Sequence, residues 1–173
     1  MSALTWRRLE RNAADVAGVW SVYLAADDYA MNVTGMPPDR DDSAEFFDSL
    51  APELTEADTL RLGIFESKKM IGCAHLSRGW PDAHTAHIGL LLLVPQARGR
   101  GVGRRTVEYI ESLAAQWPGI ARLRLTVVEA NEHLARAFWE RMGYRASGAV
   151  TPFELMERSS VSHEFVKPLE AHL

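Results

Sequence analysis

The chain contains a single cysteine, Cys73, among 173 residues. It can form no internal disulfide, and a reducing compartment is the expected setting. Long apolar runs are also missing. The longest, IGLLLLV over 88–94, has seven residues, far short of the roughly 20 that cross a bilayer. The opening segment MSALTWRRLERN carries no apolar signal core, so the expected location is cytoplasmic, with no membrane partner. An excess of positive charge is absent as well. The net charge of −4 disfavours general binding to nucleic acid or other polyanions. The six histidines, at 75, 84, 87, 133, 163 and 172, show no ligand spacing, so no metal is expected. No repeat, low-complexity tract or long linker divides the chain, and one domain over 1–173 is expected.

What is present is an ordinary globular composition, 47% hydrophobic and 24% charged, with readable periodicity. LTWRRL (4–9) suits a first strand. Asn12 and Asp15 form an N-cap pair, opening a helix with Val16, Val19, Trp20, Tyr23 and Leu24 inward. Gly35, Pro37 and Pro38 interrupt the chain before a short helix near 42–50. TLRLGIFE (59–66) and MIGCAHLS (70–77) read as a hairpin. The strand over 84–94 ends in a continuous apolar run, which predicts burial on both faces. Residues 104–117 then place Val107, Ile110, Leu113, Ala114 and Trp117 on one helical stripe. A strand over 121–129, a helix over 131–142 capped by Asn131 and stopped by Gly143, and two final strands complete the order βααβββαβαββ. Trp6, Trp20 and Trp117 fall on apolar stripes and are expected in the core, as is Cys73.

The stretch ARGRGVGRR (97–105) puts three glycines and four arginines in nine positions. A basic surface loop, a nucleic-acid arm and a cradle for a phosphorylated cofactor are all conceivable. Strand, then glycines, then helix favours the cradle, because the first N–H groups of a helix lack internal partners and the macrodipole is positive there. No lysine follows to make a Walker loop, and Gly103 comes one residue too soon for a dinucleotide fingerprint. The pattern that fits is R-x-x-G-x-G, as Arg98, Gly101 and Gly103.

With IGLLLLVPQARGRGVGRR and NEHLARAFWERMGY in this order, the chain resembles the GNAT N-acetyltransferase superfamily over essentially its whole length. The resemblance implies an α/β fold with a mixed, mostly antiparallel sheet of about seven strands and about four helices. It also implies an acetyl-CoA-dependent transferase acting on a primary amine of a small molecule or peptide, by direct attack without an acyl-enzyme. The backbone around Arg98, Gly99, Arg100, Gly101, Val102 and Gly103 is implied to bind the CoA pyrophosphate, with Arg98, Arg100 and either Arg104 or Arg105 adding charge. The strand end at Leu92, Leu93 and Val94 is implied to splay, pair with the pantetheine arm and offer an oxyanion donor. Asn131, Ala135 and Phe138 are implied to lie along the cofactor. The family is often dimeric, so a homodimer is one expected arrangement.

Catalysis is less legible. Trp139 stands where the family often carries the tyrosine that protonates the departing thiolate, and an indole is no useful acid. Tyr144 or a bound water are the remaining candidates. An amine with a pKa near 10.4 costs roughly 4–5 kcal/mol to deprotonate at pH 7, so a base is expected: His87, Glu129 or His75. Residues 27–58 hold ten acidic side chains and one basic, a solvated face or a lure for a cationic acceptor. Trp80-Pro81 is either an acceptor wall or a rigid turn. The competing reading is a CoA-binding module without turnover.

Overall fold

The structure, a computed structural model, describes residues 2–155 and 158–170. In chain order it has β1 (Leu4–Arg8), α1 (Ala13–Ala25), α2 (Asp27–Thr34), α3 (Arg40–Asp48), β2 (Thr59–Glu66), β3 (Lys69–Arg78), β4 (Thr85–Leu93), α4 (Val102–Ala115), β5 (Arg122–Val128), α5 (Glu132–Arg141), β6 (Arg145–Leu155) and β7 (Arg158–Pro168). The strands make one seven-stranded sheet, β1-β2-β3-β4-β5-β7-β6. Every neighbouring pair is antiparallel except β4 and β5. This is the expected mixed α/β sheet, with five α-helices rather than four.

The extra helix arises at Ala26, whose backbone (φ −100°, ψ 43°) breaks the first helical run in two. Asn12 caps α1 as expected, its side chain accepting from the Asp15 N–H. Of the expected inward stripe, Val19 is buried and Val16 and Tyr23 pack against the core, but Leu24 is 56% exposed and the buried line also takes in Asp15, Val22 and Ala26. Spacings of three and four residues keep 15, 19, 22 and 26 in line and turn position 24 outward. Asp15 tolerates burial because Arg7 donates to both its oxygens at 2.8 and 3.1 Å and the Glu10 N–H adds a third bond at 2.8 Å. Those contacts hold its carboxyl below the usual carboxylate range.

The sheet separates two cores. Val19, Val22, Phe46, Phe47, Ile71 and Cys73 pack on one face, under α1 and α3. Ala74, Leu76, Val107, Ile110, Leu123, Leu125 and Phe165 pack on the other, under α4 and α5. Cys73 is fully buried, and burial pushes its thiol up to about 12. Trp6, Trp20 and Trp117 are only half-buried. Trp6, for example, stacks on Tyr109 at 4.8 Å and donates its indole N–H to Thr106 at 3.0 Å, tying β1 to α4.

The strand buried nearly throughout on both faces is β3, not β4. Gly89 is exposed and Leu90, Leu91 and Leu93 are half-buried, because β4 leaves its neighbour. Parallel pairing to β5 ends at Ile88 opposite Leu125, and a register shift on the β3 side falls at Gly89. From there the sheet opens, and the apolar run of β4 borders clefts instead of core.

Candidate active site

The opening is built from strand register. The Val94 N–H donates to the Ile71 carbonyl at 3.0 Å, and the register pairs Leu92 with Cys73 and Leu90 with His75. Hydrogen-bonded pairs alternate in an antiparallel ladder, so the amides of Leu91 and Leu93 face away from β3, into the gap. The Leu93 carbonyl accepts there from Arg98 Nε at 3.2 Å. The splay therefore begins earlier than the expected Leu92–Val94. Val94 itself remains bonded to β3, its side chain in the core.

Beside the gap lies a cleft of about 1110 Å³, bordered by Leu91, Leu92, Leu93, Arg98, Gly99, Gly101, Gly103, Arg104, Asn131, Ala135 and Phe138. Gly99 and Gly101 both adopt positive φ, 71° and 78°, which side chains with a Cβ adopt only with strain. Together with the start of α4 they leave the N–H groups of residues 99–104 without an acceptor among the described residues. Six adjacent unpaired N–H groups at a helix N-terminus form a nest for a multiply charged anion. Gly103 lies beneath Phe138: a Cβ there would stand 3.2 Å from its ring.

The arginines do less than expected. Arg98 is clamped by Asp28 at 2.6 and 3.0 Å, and Arg104 pairs with Glu108 one turn on at 2.9 Å. Arg100 turns out of the cleft to Glu66 and the Gln96 carbonyl. Val102 contributes its backbone, with its side chain buried. Asn131 borders the cleft but does not cap α5; its Oδ1 faces Asn32 at 3.4 Å.

Tyr144 is fully buried and does not border this cleft. Its hydroxyl donates to Glu111 at 3.2 Å, and Glu111 also accepts from Lys167 at 2.8 Å. Burial and the Glu111 carboxylate raise its pKa far above the ordinary phenol value. Trp139 stacks edge-on against Tyr144 at 5.1 Å and borders the cleft. Glu129 is 61% exposed, 3.8 Å from His163 and outside both clefts. Glu129, Glu132 and His163 bring ligand atoms within 4.8 Å of one another, a grouping that His spacing could not reveal because the residues lie on separate segments.

A second cleft, of about 420 Å³, meets β4 at Gly89 and Leu90. Its walls include Tyr23, Tyr29, Phe46, Trp80, His75 and His87, with Asp42 and Glu45 as the carboxylates among the described residues. Trp80 packs edge-on to His87 at 4.8 Å, so the Trp-Pro turn does wall this cleft. His87 Nδ1 faces the Arg124 guanidinium at 3.1 Å. A guanidinium only donates, so that nitrogen accepts, and the ring hydrogen sits on Nε2. Burial and Arg124 push the His87 pKa down to about 3. Its lone pair is thus already engaged, an arrangement unlike the free lone pair that a base requires.

Tyr29 was not identifiable as a site residue from the sequence, yet it borders both clefts. Burial pushes its hydroxyl up to about 12, and the hydroxyl has no hydrogen-bond partner among the described residues. Only its place within the acidic 27–58 segment could have pointed to it.

An anion nest and an aromatic pocket meeting across one splayed strand define a transferase that brings an anionic donor and a second substrate together. The chain matches the acetyltransferase (GNAT) family over residues 17–144, and it belongs to that family. It is therefore an acyltransferase, of a family that uses acetyl-CoA for N-acetylation. No curated protein matches it by sequence. Among solved structures it is similar to an acetyltransferase from Thermus thermophilus, at 23% identity over 98% of this chain and 100% of that one, with a TM-score of 0.74. It is also similar to spermidine N-acetyltransferase from Vibrio cholerae in complex with CoA and spermine, at 18% identity, 96% and 95% coverage and TM-score 0.70. A third is ribosomal-protein-S18-alanine N-acetyltransferase from Escherichia coli, at 16% identity, 96% and 94% coverage and TM-score 0.68. These likenesses show the fold. Among the described residues, no helix is long and apolar enough to cross a membrane.

Proposed function

We propose that the protein, as one catalytic domain, acetylates a small primary amine that carries a positive charge on an apolar body. The acetyl group comes from acetyl-CoA by direct attack in a ternary complex. The observation that carries the acceptor class is the smaller cleft: aromatic walls, the carboxylates of Asp42 and Glu45, and no lysine or arginine among the described residues on its border. Such a pocket attracts a cation and buries its apolar part.

On the donor side, the N–H groups of residues 99–104 would hold the pyrophosphate, with Arg98 and Arg104 beside it. The exposed amides of Leu91 and Leu93 suit a pantetheine arm, and either can stabilise charge developing on the thioester oxygen. Asn131, Ala135 and Phe138 would flank that arm. His87 serves this reading as an Nε2–H donor in the acceptor cleft. Glu129 and Tyr144 have no comparable opening to either cleft, so thiolate protonation falls to water or the Tyr29 hydroxyl. A thiolate is a good leaving group with an ordinary pKa of about 8.5, and needs little help.

The test is thiol release from acetyl-CoA with a panel comprising phenethylamine, spermidine, glycine and a peptide with a free N-terminus. Phenethylamine is expected to turn over best and glycine, with its carboxylate, worst. CoA binding without turnover on any amine would refute the enzyme reading and support the CoA-binding module.

A further inference from the structure

We infer that His75 is the group that accepts the acceptor amine's proton, its Nδ1 lone pair held open over the point where β4 splays. This inference rests on the acetyl-transfer reading above and names its base. His75 lies on β3 opposite Leu90, at the register shift around Gly89. Its Nδ1 stands 3.4 Å from where a Cβ on Gly89 would be, beside the splay point, and His75 borders the smaller cleft.

The ring is oriented from its other end. Nε2 lies 3.3 Å from the Ser49 carbonyl. A carbonyl only accepts, so Nε2 carries the hydrogen and Nδ1 presents a lone pair. The Ser49 carbonyl is itself held by Arg61, whose Nη2 donates to it at 3.2 Å while Nε donates to the Phe46 carbonyl at 2.9 Å. The Phe46 ring meets the imidazole edge-on at 5.9 Å. His75 and His87 flank Gly89 together but are set oppositely: Arg124 occupies the Nδ1 of His87, and nothing among the described residues occupies the Nδ1 of His75.

The charged and titratable groups around His75 are Arg61 on β2, Glu56 just before it, His87 on β4, Asp42 and Glu45 on α3, Tyr23 on α1 and Tyr29 on α2. Burial, followed by Arg61, lowers the His75 pKa below the ordinary 6.5, so the ring is neutral at pH 7. That suits the moment at which the proton moves. The bound ammonium first gives up one proton to water at the cleft mouth, and the free amine attacks the thioester carbonyl. As the C–N bond forms, the attacking nitrogen becomes strongly acidic and its second proton passes to Nδ1. The C–S bond then breaks, its electron pair leaves on sulfur, and the thiolate takes a proton from water. His75 returns its own proton to solvent through the acidic mouth at Asp42 and Glu45. No co-reactant beyond donor and amine is needed.

The test uses the full chain, with turnover on phenethylamine established as above. Under saturating acetyl-CoA, the kcat/KM–pH profile of the unmodified protein is expected to show an acid limb below pH 6.5. His75→Gln keeps an N–H toward Ser49 and removes the titrating base. It is expected to abolish that limb and to lower kcat about 100-fold or more, with CoA affinity unchanged by calorimetry. His87→Gln is expected to retain the limb. His75→Ala should regain activity when imidazole is added, a response that a structural role would not produce. An acid limb that survives in His75→Gln, with kcat within about threefold, overturns the inference, as does absence of imidazole rescue.

Discussion

Replacing Gly101 with alanine isolates the contribution of the backbone nest. Gly101 has φ 78° and ψ 3°, immediately before α4, and a Cβ built there meets nothing within 4 Å. Sterics against the ligand-free protein therefore play no part, and the cost is the left-handed backbone itself, about 1–2 kcal/mol for a residue with a Cβ. Gly119 provides a matched control, with φ 81° and equally open surroundings, at the far end of α4. Both variants should lose about 1–2 kcal/mol of stability, or about 2–8 °C in Tm for a chain of this size. Only Gly101→Ala should weaken CoA binding. Relaxing its φ misdirects at least one N–H from a charged phosphate, a bond worth about 1.5–3 kcal/mol, so Kd should rise roughly 10- to 150-fold. Thermal denaturation and titration calorimetry with CoA read both quantities. If Gly101→Ala binds CoA within twofold of the parent, or Gly119→Ala weakens binding as much, the nest does not hold the anion.

Arg61 is 6% exposed and its guanidinium satisfies the Phe46 and Ser49 carbonyls along with Glu56. Arg61→Met takes a donor from the Phe46 carbonyl and one of two from the Ser49 carbonyl, and should cost about 1–3 kcal/mol, read as a lowered urea midpoint at unchanged m-value; a shift under about 0.5 kcal/mol contradicts the reasoning. Asp42→Asn with Glu45→Gln should raise KM for phenethylamine and flatten its dependence on ionic strength, leaving KM for acetyl-CoA unchanged; a flat salt response in the parent counts against the cationic pocket. The folded-state pKa of His87 is depressed to about 3, so its contribution is complete above pH 6.5 and is lost as pH falls from there toward 3. Stability should drop by up to about 2 kcal/mol by pH 5, and His87→Gln should reduce that slope when midpoints are compared between pH 7 and 5.

Periodicity and punctuation located the strands and most helix bounds because those signals act within a few residues. Asn12 caps α1 where the sequence places it, and α4 spans Val102–Ala115, two residues earlier at each end than the expected 104–117. Failures occurred where a distant partner decided the outcome. The apolar run of β4 reads as doubly buried, but β5 diverges after Ile88 and leaves it beside clefts. Asn131 has a capping residue's chemistry, yet its backbone (φ −105°, ψ 0°) is not extended and its amide faces Asn32 on another helix. Arg100 belongs to the same motif as Arg98, but Glu66 on β2 draws it out of the cleft.

The glycine loop shows where the division falls. The spacing of Arg98, Gly101 and Gly103 between an apolar strand and a helix, together with the second motif NEHLARAFWERMGY, pointed to an anion cradle, since unpaired helix N–H groups and glycines that accept positive φ are local properties of the chain. The two histidines show the reverse. His75 and His87 are alike in sequence, each on a strand among apolar neighbours. Only tertiary structure sets Arg124 against one ring and the Ser49 carbonyl against the other. Both rings carry their hydrogen on Nε2, and which nitrogen is left without a partner among the described residues is decided by the group that holds the other.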